Sequence, residues 1–433
     1  MRPTASRRAC RSSRRSRWPS TSWPTACGAS STARSRCTAR SATRPTRRSP
    51  RCCSRRGGAD SPTGPTRSTR CASPSGRSPP GRIRARRARP LATCRSDRRR
   101  TDHTRRTREH DMTSQPPVIF GVFMPQGWKM ELAGIRDDQE KWAKAVEIAQ
   151  HAERLGYDSV WVYDHFHNVP KPAHEAVFEC WTTMAAISQR TTRIRLGQMV
   201  GCNMYREPAL LAKITSTIDV ISGGRLDWGI GAGWYENECR GYGYEFPVPK
   251  VRIGMLRECV EIVTSMWTQS ETTYSGTYYT LHRGNCDPKP VQRPRPPIWI
   301  GGGGEQLTLR VVARHADFAN FGGTPEDFLR KKEILRGHCE AVGRDPSEIR
   351  LTWSPDVFIR GTVAEMERAG SRSLWGHDLD KWRAQHLVGT PSEVRDKIAR
   401  YVEMGCTGFV PWCADYPETE TMEHLAEIMK EYR

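Results

Sequence analysis

The first quarter of the chain lacks the apolar residues that a folded core needs. In residues 1–111, Ile83 and Leu91 are the only Leu, Ile, Val or Phe residues, and no lysine accompanies the 31 arginines. So little apolar surface cannot offset the entropy that a chain loses on folding. The sequence therefore predicts a disordered Arg-, Ser- and Pro-rich segment over 1–111, followed by one folded domain over 112–433.

Three origins of this segment can be compared. It resembles a targeting peptide in being rich in Arg and Ser and poor in acids, but it is longer than most and shows no amphipathic pattern. An authentic basic tail would bind nucleic acid or anionic lipid, but such tails usually mix Lys with Arg. The absence of Lys, seven scattered cysteines and the abrupt change at Met112 favour the third origin, translation of DNA upstream of the true start.

The net excess of positive charge is confined to the same segment. The whole chain has a net charge of +22 from 69 basic and 47 acidic residues, of which 31 basic and 5 acidic residues lie in 1–111. Residues 112–433 therefore carry 38 basic and 42 acidic residues. This mildly acidic composition gives no electrostatic reason to expect a nucleic-acid partner for the folded domain.

Long apolar runs and paired cysteines are also missing. No apolar run reaches the ~18 residues of a membrane-spanning helix, so we expect no membrane partner. The eight cysteines of 112–433 form no Cys-x-x-Cys pair and have no metal-ligand spacing. These features predict a protein of the reducing cytoplasm.

Strand and helix patterns alternate after Met112. The predicted strands are 118–123, 159–163, 194–200, 225–230, 297–300, 317–321, 349–359 and 408–412, and the predicted helices are 137–155, 173–188, 208–221, 251–267, 305–315, 325–342, 391–404 and 418–432. A β-hairpin is expected over 272–281, and residues 360–390 read as an irregular polar stretch and a candidate lid. Eight strand–helix units predict an α/β fold, a (β/α)8 TIM barrel with insertions. A doubly wound sheet is the alternative, but the first turn has no dinucleotide-binding glycine pattern.

Small and polar residues follow the predicted strands, where a barrel places its active site. The candidates are Asp164 and His165 after strand two, Met199, Val200, Cys202 and Asn203 after strand three, Gly231, Ala232, Gly233 and Trp234 after strand four, and Gly301, Gly302, Gly303 and Gly304 after strand five. Glycines let backbone N–H groups approach an anion, and a helix N-terminus adds a favourable dipole. The 301–304 loop before a helix starting near Glu305 therefore indicates a phosphate site, unless these glycines only form tight turns.

Histidine at a strand end suggests proton chemistry. His165 can hydrogen-bond or carry a proton at neutral pH, with Asp164 beside it, although a purely structural histidine is the alternative. His165 and His167 also have the spacing of a metal pair, as in barrel hydrolases, but later strand ends supply no further ligands. We therefore predict no metal. A metal-dependent hydrolase and a barrel that only binds a ligand are the alternatives outside redox chemistry.

An ordered series of motifs resembles the luciferase-like monooxygenase family. The motifs are VWVYDHF at 160–166, IRLG at 194–197, YREPALLAK at 205–213, ISGGRL at 221–226, GIGAGW at 229–234, Tyr278-Tyr279 with PKP at 288–290, and PPIWIGG at 296–302. The match extends over nearly all of 117–433. Within the family, the sequence is most similar to the actinobacterial branch that uses the deazaflavin coenzyme F420.

The resemblance implies a cofactor ring lying across the strand ends. It implies a non-proline cis peptide at Met199–Val200 that lies against the ring, with Asp164 and His165 beside the cofactor. It also implies that the segments 231–233 and 301–304 hold the ring edge and the phosphate of the cofactor. The implied function is F420-dependent hydride transfer to or from an unidentified small organic substrate, with His165 as proton partner; an FMN-dependent monooxygenase is the alternative. Trp234 stands where some sugar-phosphate dehydrogenases of the family carry a catalytic acid, which argues against their substrate. A homodimer is also expected.

Overall fold

Eight parallel strands close into a barrel in the computed structural model, which describes residues 116–433. The strands are β1 (Ile119–Phe123), β2 (Ser159–Val162), β3 (Arg195–Gln198), β4 (Leu226–Gly231), β5 (Ile298–Gly301), β6 (Phe318–Asn320), β7 (Arg350–Trp353) and β8 (Cys406–Phe409). Their order around the sheet is β3-β2-β1-β8-β7-β6-β5-β4, and a β3–β4 pairing closes the ring. The predicted (β/α)8 architecture is confirmed. The segment 1–111 predicted to be disordered lies outside the described residues.

Helices surround this barrel and connect its strands. They are α1 (Asp138–Leu155), α2 (Cys180–Ser188), α3 (Pro208–Ser222), α4 (Glu236–Gly241), α5 (Pro249–Thr268), α6 (Thr308–His315), α7 (Pro325–Val342), α8 (Val363–Ala369), α9 (Leu379–Gln385), α10 (Pro391–Glu403) and α11 (Glu420–Met429). The predicted hairpin is formed by antiparallel strands Thr272–Ser275 and Thr280–Gly284. No helix within 116–433 is both long and apolar enough to cross a bilayer.

Large aromatic side chains fill the barrel interior. Trp161 of β2 and Trp299 of β5 are buried, and their rings meet edge to face with centroids 4.6 Å apart. Room for the Trp161 ring exists because β3 carries glycine beside it: a Cβ at Gly197 would lie 2.3 Å from the indole. The interior is therefore a packed core, and a ligand must bind above it, at the ends of the strands.

The stretch 360–390 is ordered, contrary to the prediction of irregular structure. It contains α8, α9 and a strand, Leu387–Gly389, which pairs with Asp356–Ile359; that strand in turn pairs with Trp412–Cys413. Phe358, Met366 and Trp382 form a small separate core under these elements. The two helices are one to two turns long, too short to show an apolar period, and their stability comes from this packing.

Two helix starts differ from the prediction, and one helix was not predicted. α2 begins only at Cys180, because Glu179 caps it by accepting the N–H of Thr182 at 2.7 Å. α4 was not predicted at all. α6 begins at Thr308, so a turn of three residues, 305–307, separates the glycine loop from the helix.

Candidate active site

A cavity of about 560 Å³ opens at the carboxyl ends of the strands. The predicted site residues that line it are Asp164, His165, Met199, Val200, Cys202, Gly231, Ala232, Gly233, Trp234, Gly301 and Gly302. Asn203, Gly303 and Gly304 are not part of its lining. The barrel therefore brings together residues from four strand ends that are far apart in the sequence.

His165 is held in one orientation inside this cavity. Its Nδ1 lies 2.8 Å from Oε2 of Glu238, and its ring stacks on Trp128 with centroids 4.4 Å apart and planes 5° from parallel. Nε2 has no hydrogen-bond partner among the described residues and is not fully buried. The imidazole thus presents one free nitrogen to a ligand.

Glu238, which the sequence reasoning missed, organises this part of the site. Its carboxylate accepts the N–H groups of Phe166 and His167 at 2.6 and 2.7 Å and the hydroxyl of Tyr205 at 2.5 Å, besides contacting His165. Burial alone would raise the pKa of Glu238, but these hydrogen bonds, led by that from His165, lower it below its usual value. An ionised Glu238 can only accept a hydrogen bond, so Nδ1–H donates to it, and the lone pair of the neutral imidazole is then on Nε2.

Glu238 lies on α4, the helix that the sequence reasoning did not predict. α4 has only six residues and follows the β4 glycines by a short loop. A six-residue helix is below the length at which a period can be recognised. The signal that was present is the acidic pair in Glu236-Asn237-Glu238, directly after the predicted strand end.

The carboxylate of Asp164 is hydrogen-bonded to other residues of the protein. Its Oδ2 accepts the Cys202 N–H at 2.8 Å and an Arg206 N–H at 2.7 Å, and Oδ1 accepts a second Arg206 N–H at 3.1 Å. Burial raises the pKa of the Asp164 carboxyl, and the Arg206 guanidinium opposes that shift. This bidentate contact joins the end of β2 to the segment after β3, so Asp164 positions backbone at the site.

Val200 forms a ridge between two glycines. The Met199–Val200 peptide is cis, as the resemblance implied. A Cβ at Gly231 would lie 2.6 Å from one Val200 methyl, and a Cβ at Gly301 would lie 2.7 Å from the other. These glycines therefore make room for Val200 on the cavity floor, a requirement that the sequence reasoning did not foresee.

The glycines after β5 do not run straight into a helix. A Cβ at Gly303 would lie 2.8 Å from Nζ of Lys331, and one at Gly304 would lie 2.7 Å from Oγ1 of Thr308. Lys331 donates to the Gly322 carbonyl at 2.7 Å. A side chain at position 304 would meet the short Thr308 side chain, whereas one at position 303 would meet only the flexible end of Lys331, which could shift.

A polar cluster of Lys129, Asp356 and His386 also lines the cavity, and the sequence reasoning missed it too. Lys129 Nζ lies 2.9 Å from Oδ1 of Asp356, with both side chains at most 10% exposed. The ammonium also sits 4.1 Å from the centroid of the Trp412 ring. His386 Nδ1 accepts the Asp356 N–H at 3.0 Å, and burial lowers the pKa of His386. Since Lys129 and Asp356 neutralise each other, this cluster offers hydrogen bonds without net charge.

Aromatic residues mark the rim. Trp234 is 56% exposed and stacks on Tyr235 with centroids 5.0 Å apart, and Trp375 is 50% exposed. Both line the cavity. They place apolar surface where a ligand would enter.

The two histidines of the suspected metal pair do not converge. His165 faces Glu238, whereas the His167 ring lies against Gly241 and Tyr242. Within residues 116–433, no group of three or more His, Cys, Asp or Glu side chains could hold a metal ion.

A parallel barrel with an oriented imidazole and a cavity at its strand ends has the architecture of TIM-barrel enzymes. The sequence pattern of the luciferase-like monooxygenase family matches residues 119–381. The chain belongs to this family, and it is an oxidoreductase.

A known relative supports this placement, and solved structures share the fold. The F420-dependent glucose-6-phosphate dehydrogenase of Intrasporangium calvum is 32% identical over 312 residues, covering 64% of this chain and 90% of the relative. An F420-dependent secondary alcohol dehydrogenase in complex with an F420–acetone adduct superposes with a TM-score of 0.63 at 21% identity, over 73% of this chain and all of the other. The oxygenating constituent of 3,6-diketocamphane monooxygenase from Pseudomonas putida, in complex with FMN, superposes with a TM-score of 0.59 at 19% identity, over 73% of this chain and 98% of the other. These two structures show the shared fold.

Proposed function

We propose that the protein is an F420-dependent oxidoreductase that transfers a hydride between the deazaflavin and a small organic alcohol or carbonyl compound. The observation that carries the proposal is the oriented His165, whose free Nε2 faces a cavity floored by Val200. The similarity to F420-dependent dehydrogenases supports the cofactor.

The residues present fit a flat tricyclic cofactor. Val200 with its flanking glycines, Gly231 and Gly301, provides a floor of methyl groups and bare backbone, and a cavity of about 560 Å³ leaves room above it for a second molecule. Met199, Ala232 and Gly302 would line the edge of the ring. When bound, the deazaflavin supplies the carbon that accepts or donates the hydride.

His165 moves the proton in this proposal. Its neutral form, with Nδ1–H donated to Glu238, accepts a hydroxyl proton at Nε2 as the substrate is oxidised, and returns it when a carbonyl is reduced. Trp128 prevents the ring from tilting, and Glu238 stabilises the imidazolium that forms. Asp164 acts as a positioning residue through Arg206 and Cys202.

The substrate contacts are proposed from the polar cluster of Lys129 and Asp356 and from the rim. Lys129 and Asp356 form a neutral pair, and the half-exposed Trp234 stands where the resemblance places a catalytic acid in some sugar-phosphate dehydrogenases. We infer a partly apolar substrate with a hydroxyl or carbonyl group, and not a sugar phosphate.

Titration of the purified protein with coenzyme F420 and with FMN tests the cofactor. We expect saturable F420 binding, followed by its fluorescence, and much weaker FMN binding. FMN binding with absorbance near about 450 nm, together with oxygen uptake on reduction, would instead support an FMN-dependent monooxygenase. A panel of alcohols and ketones, monitored through coenzyme absorbance, then identifies the substrate.

His165→Ala tests the proton role. We expect retained F420 affinity and turnover lower by about 10²-fold or more, the usual contribution of general acid–base catalysis. His167→Ala is the matched control, because that ring does not line the cavity. Unchanged turnover in His165→Ala would remove the proposed role.

A further inference from the structure

Two buried cysteines meet beside the candidate active site. Cys202 follows β3 and lines the cavity at the strand ends with 8% of its surface exposed, whereas Cys239 lies on α4 and is completely buried. With Tyr205 they form a small core that is separate from the core of the barrel. Their two thiols are also hydrogen-bonded to each other. We call Cys202 and Cys239 the thiol pair.

The thiol pair ionises more readily than two other buried cysteines. The hydrogen bond from Cys202 lowers the pKa of Cys239 below its ordinary value, and the same contact raises the pKa of Cys202. By contrast, burial raises the pKa of Cys259 and of Cys406. The ionised pair holds one proton between two sulfur atoms. Because the thiolate is the form that reacts with oxidants, the pair is more reactive than Cys259 or Cys406.

A small oxidant in the cavity reaches Cys202 first. Cys202 lines this space of about 560 Å³, whereas Cys239 exposes no surface. Glycine at position 233 keeps a side chain away from the Cys202 sulfur, since a Cβ at Gly233 would lie 2.9 Å from Sγ. Cys202 therefore meets the oxidant, and Cys239 is the neighbouring thiolate that can accept its proton.

The thiol pair is connected to His165 through a short series of contacts. Cys239 Sγ lies 3.8 Å from the hydroxyl oxygen of Tyr205, and that hydroxyl donates to Oε2 of Glu238. The same carboxylate oxygen lies 2.8 Å from Nδ1 of His165. A disulfide holds its sulfur atoms closer than two hydrogen-bonded thiols, so its formation would pull α4 toward the segment after β3. Glu238 precedes Cys239 directly on α4, so its contact with His165 would change.

We propose that Cys202 and Cys239 form a redox-sensitive pair, which hydrogen peroxide converts to a disulfide that disrupts the contact between Glu238 and His165. Exchange with an external thiol would restore the reduced pair. The groups involved all belong to the protein, so the inference does not depend on which cofactor or substrate it uses.

The oxidation takes two steps. In the first, the proton of Cys202 passes to the Cys239 thiolate while the Cys202 sulfur attacks the peroxide; an S–O bond forms, the O–O bond breaks and hydroxide leaves. In the second, the Cys239 thiol attacks the sulfenic acid of Cys202; the S–S bond forms, the S–O bond breaks, and the thiol proton leaves with the hydroxyl group as water. The two sulfur atoms lose two electrons, and the peroxide gains them.

Tryptic peptide mapping of the full chain tests the bond. Cys202 is the only cysteine of peptide 196–206, and Cys239 is the only cysteine of peptide 226–240. After peroxide treatment, unfolding and alkylation of the remaining thiols, we expect mass spectrometry to find the two peptides joined, and dithiothreitol to separate them. Cys259 and Cys406 are controls in the same digest and should be alkylated. Alkylation of both members of the thiol pair, or oxidation of Cys202 without a link to Cys239, would overturn the proposal.

Nitrogen NMR of His165 tests the consequence. Both ring-nitrogen signals should shift when wild-type protein is oxidised and return after dithiothreitol. Cys239→Ser protein cannot form the disulfide and should show neither the joined peptides nor the shift. Cys286→Ser is the matched control and should behave like wild type, because Cys286 is also buried but its thiol donates to Ser216 Oγ at 3.2 Å. Joined peptides without a shift of His165 would overturn the coupling to Glu238. The peptide test on wild type holds even if a variant misfolds.

Discussion

Replacing Glu238 with glutamine should reverse the proton arrangement of His165. In the wild type, the two oxygens of Glu238 accept four hydrogen bonds, from His165, Tyr205 and the N–H groups of Phe166 and His167. Glutamine has one acceptor oxygen, and its NH2 group can only donate. If the oxygen stays with the two backbone N–H groups, the NH2 group faces His165 Nδ1, which must then accept. Neutral His165 then carries its proton on Nε2. This nitrogen can no longer accept the proton of the substrate hydroxyl.

The size of the effect follows from these contacts. A hydrogen bond to a charged group contributes about 1.5–3 kcal/mol, and two of the four are lost or reversed. Since the glutamine can still donate to His165, we expect the free energy of unfolding to fall by about 2–4 kcal/mol. Turnover should fall by about 10²-fold or more, because the proton acceptor is blocked. F420 affinity should change little, since Glu238 does not line the cavity.

Nitrogen NMR of the imidazole measures the arrangement directly. Wild-type protein should show His165 protonated at Nδ1 in its neutral form, and Glu238→Gln protein should show it protonated at Nε2. Glu236→Gln is the matched control on the same helix, because Glu236 is exposed and, among residues 116–433, pairs only with Arg240 four residues on. The reasoning is refuted if wild-type His165 carries its proton on Nε2, or if the two variants have equal turnover.

Three further predictions concern stability and packing. The pKa of Glu238 is lowered in the folded protein, so ionised Glu238 adds to the free energy of unfolding above its ordinary pKa of 4.5, and this stabilisation is lost as pH falls through its pKa in the folded protein. Below about pH 4.5, the urea midpoint should therefore drop more steeply with falling pH for wild type than for Glu238→Gln. Parallel curves for the two proteins would contradict this. Asp164→Asn leaves Arg206 with only one carboxylate in a buried setting and should cost about 3–5 kcal/mol in urea unfolding; a loss below about 1 kcal/mol would mean that the pair contributes little. Gly231→Ala places a methyl 2.6 Å from Val200 and should cost about 1–3 kcal/mol and weaken F420 binding, whereas Gly134→Ala, with nothing within 4 Å, should do neither.

Local patterns predicted most of the barrel because its strands and long helices are strongly periodic. α7, for example, begins with the Thr324–Asp327 capping box and Pro325 and ends before Gly343, and its predicted bounds match the structure. The prediction was wrong where short elements depend on distant partners. α8 and α9 are stable because Met366 and Trp382 pack on Phe358, a contact that no window of sequence contains.

The residues of the candidate site also fall into a group that sequence could predict and a group that it could not. Strand ends could be located from sequence, so the family motifs around Asp164, His165, Gly231 and Gly301 fell on the cavity. Glu238 could not be assigned to His165, because the two are 73 residues apart and meet only when α4 folds over the end of β2.

The sequence by itself determined the composition break at Met112, the eight-fold alternation and the family. Tertiary structure alone decided which nitrogen of His165 contacts Glu238 and why Val200 needs glycine on both sides. The physical reason is that periodicity and capping are local along the chain. Hydrogen-bond partners, close contacts and summed charge depend on distances through space, which only the closed barrel defines.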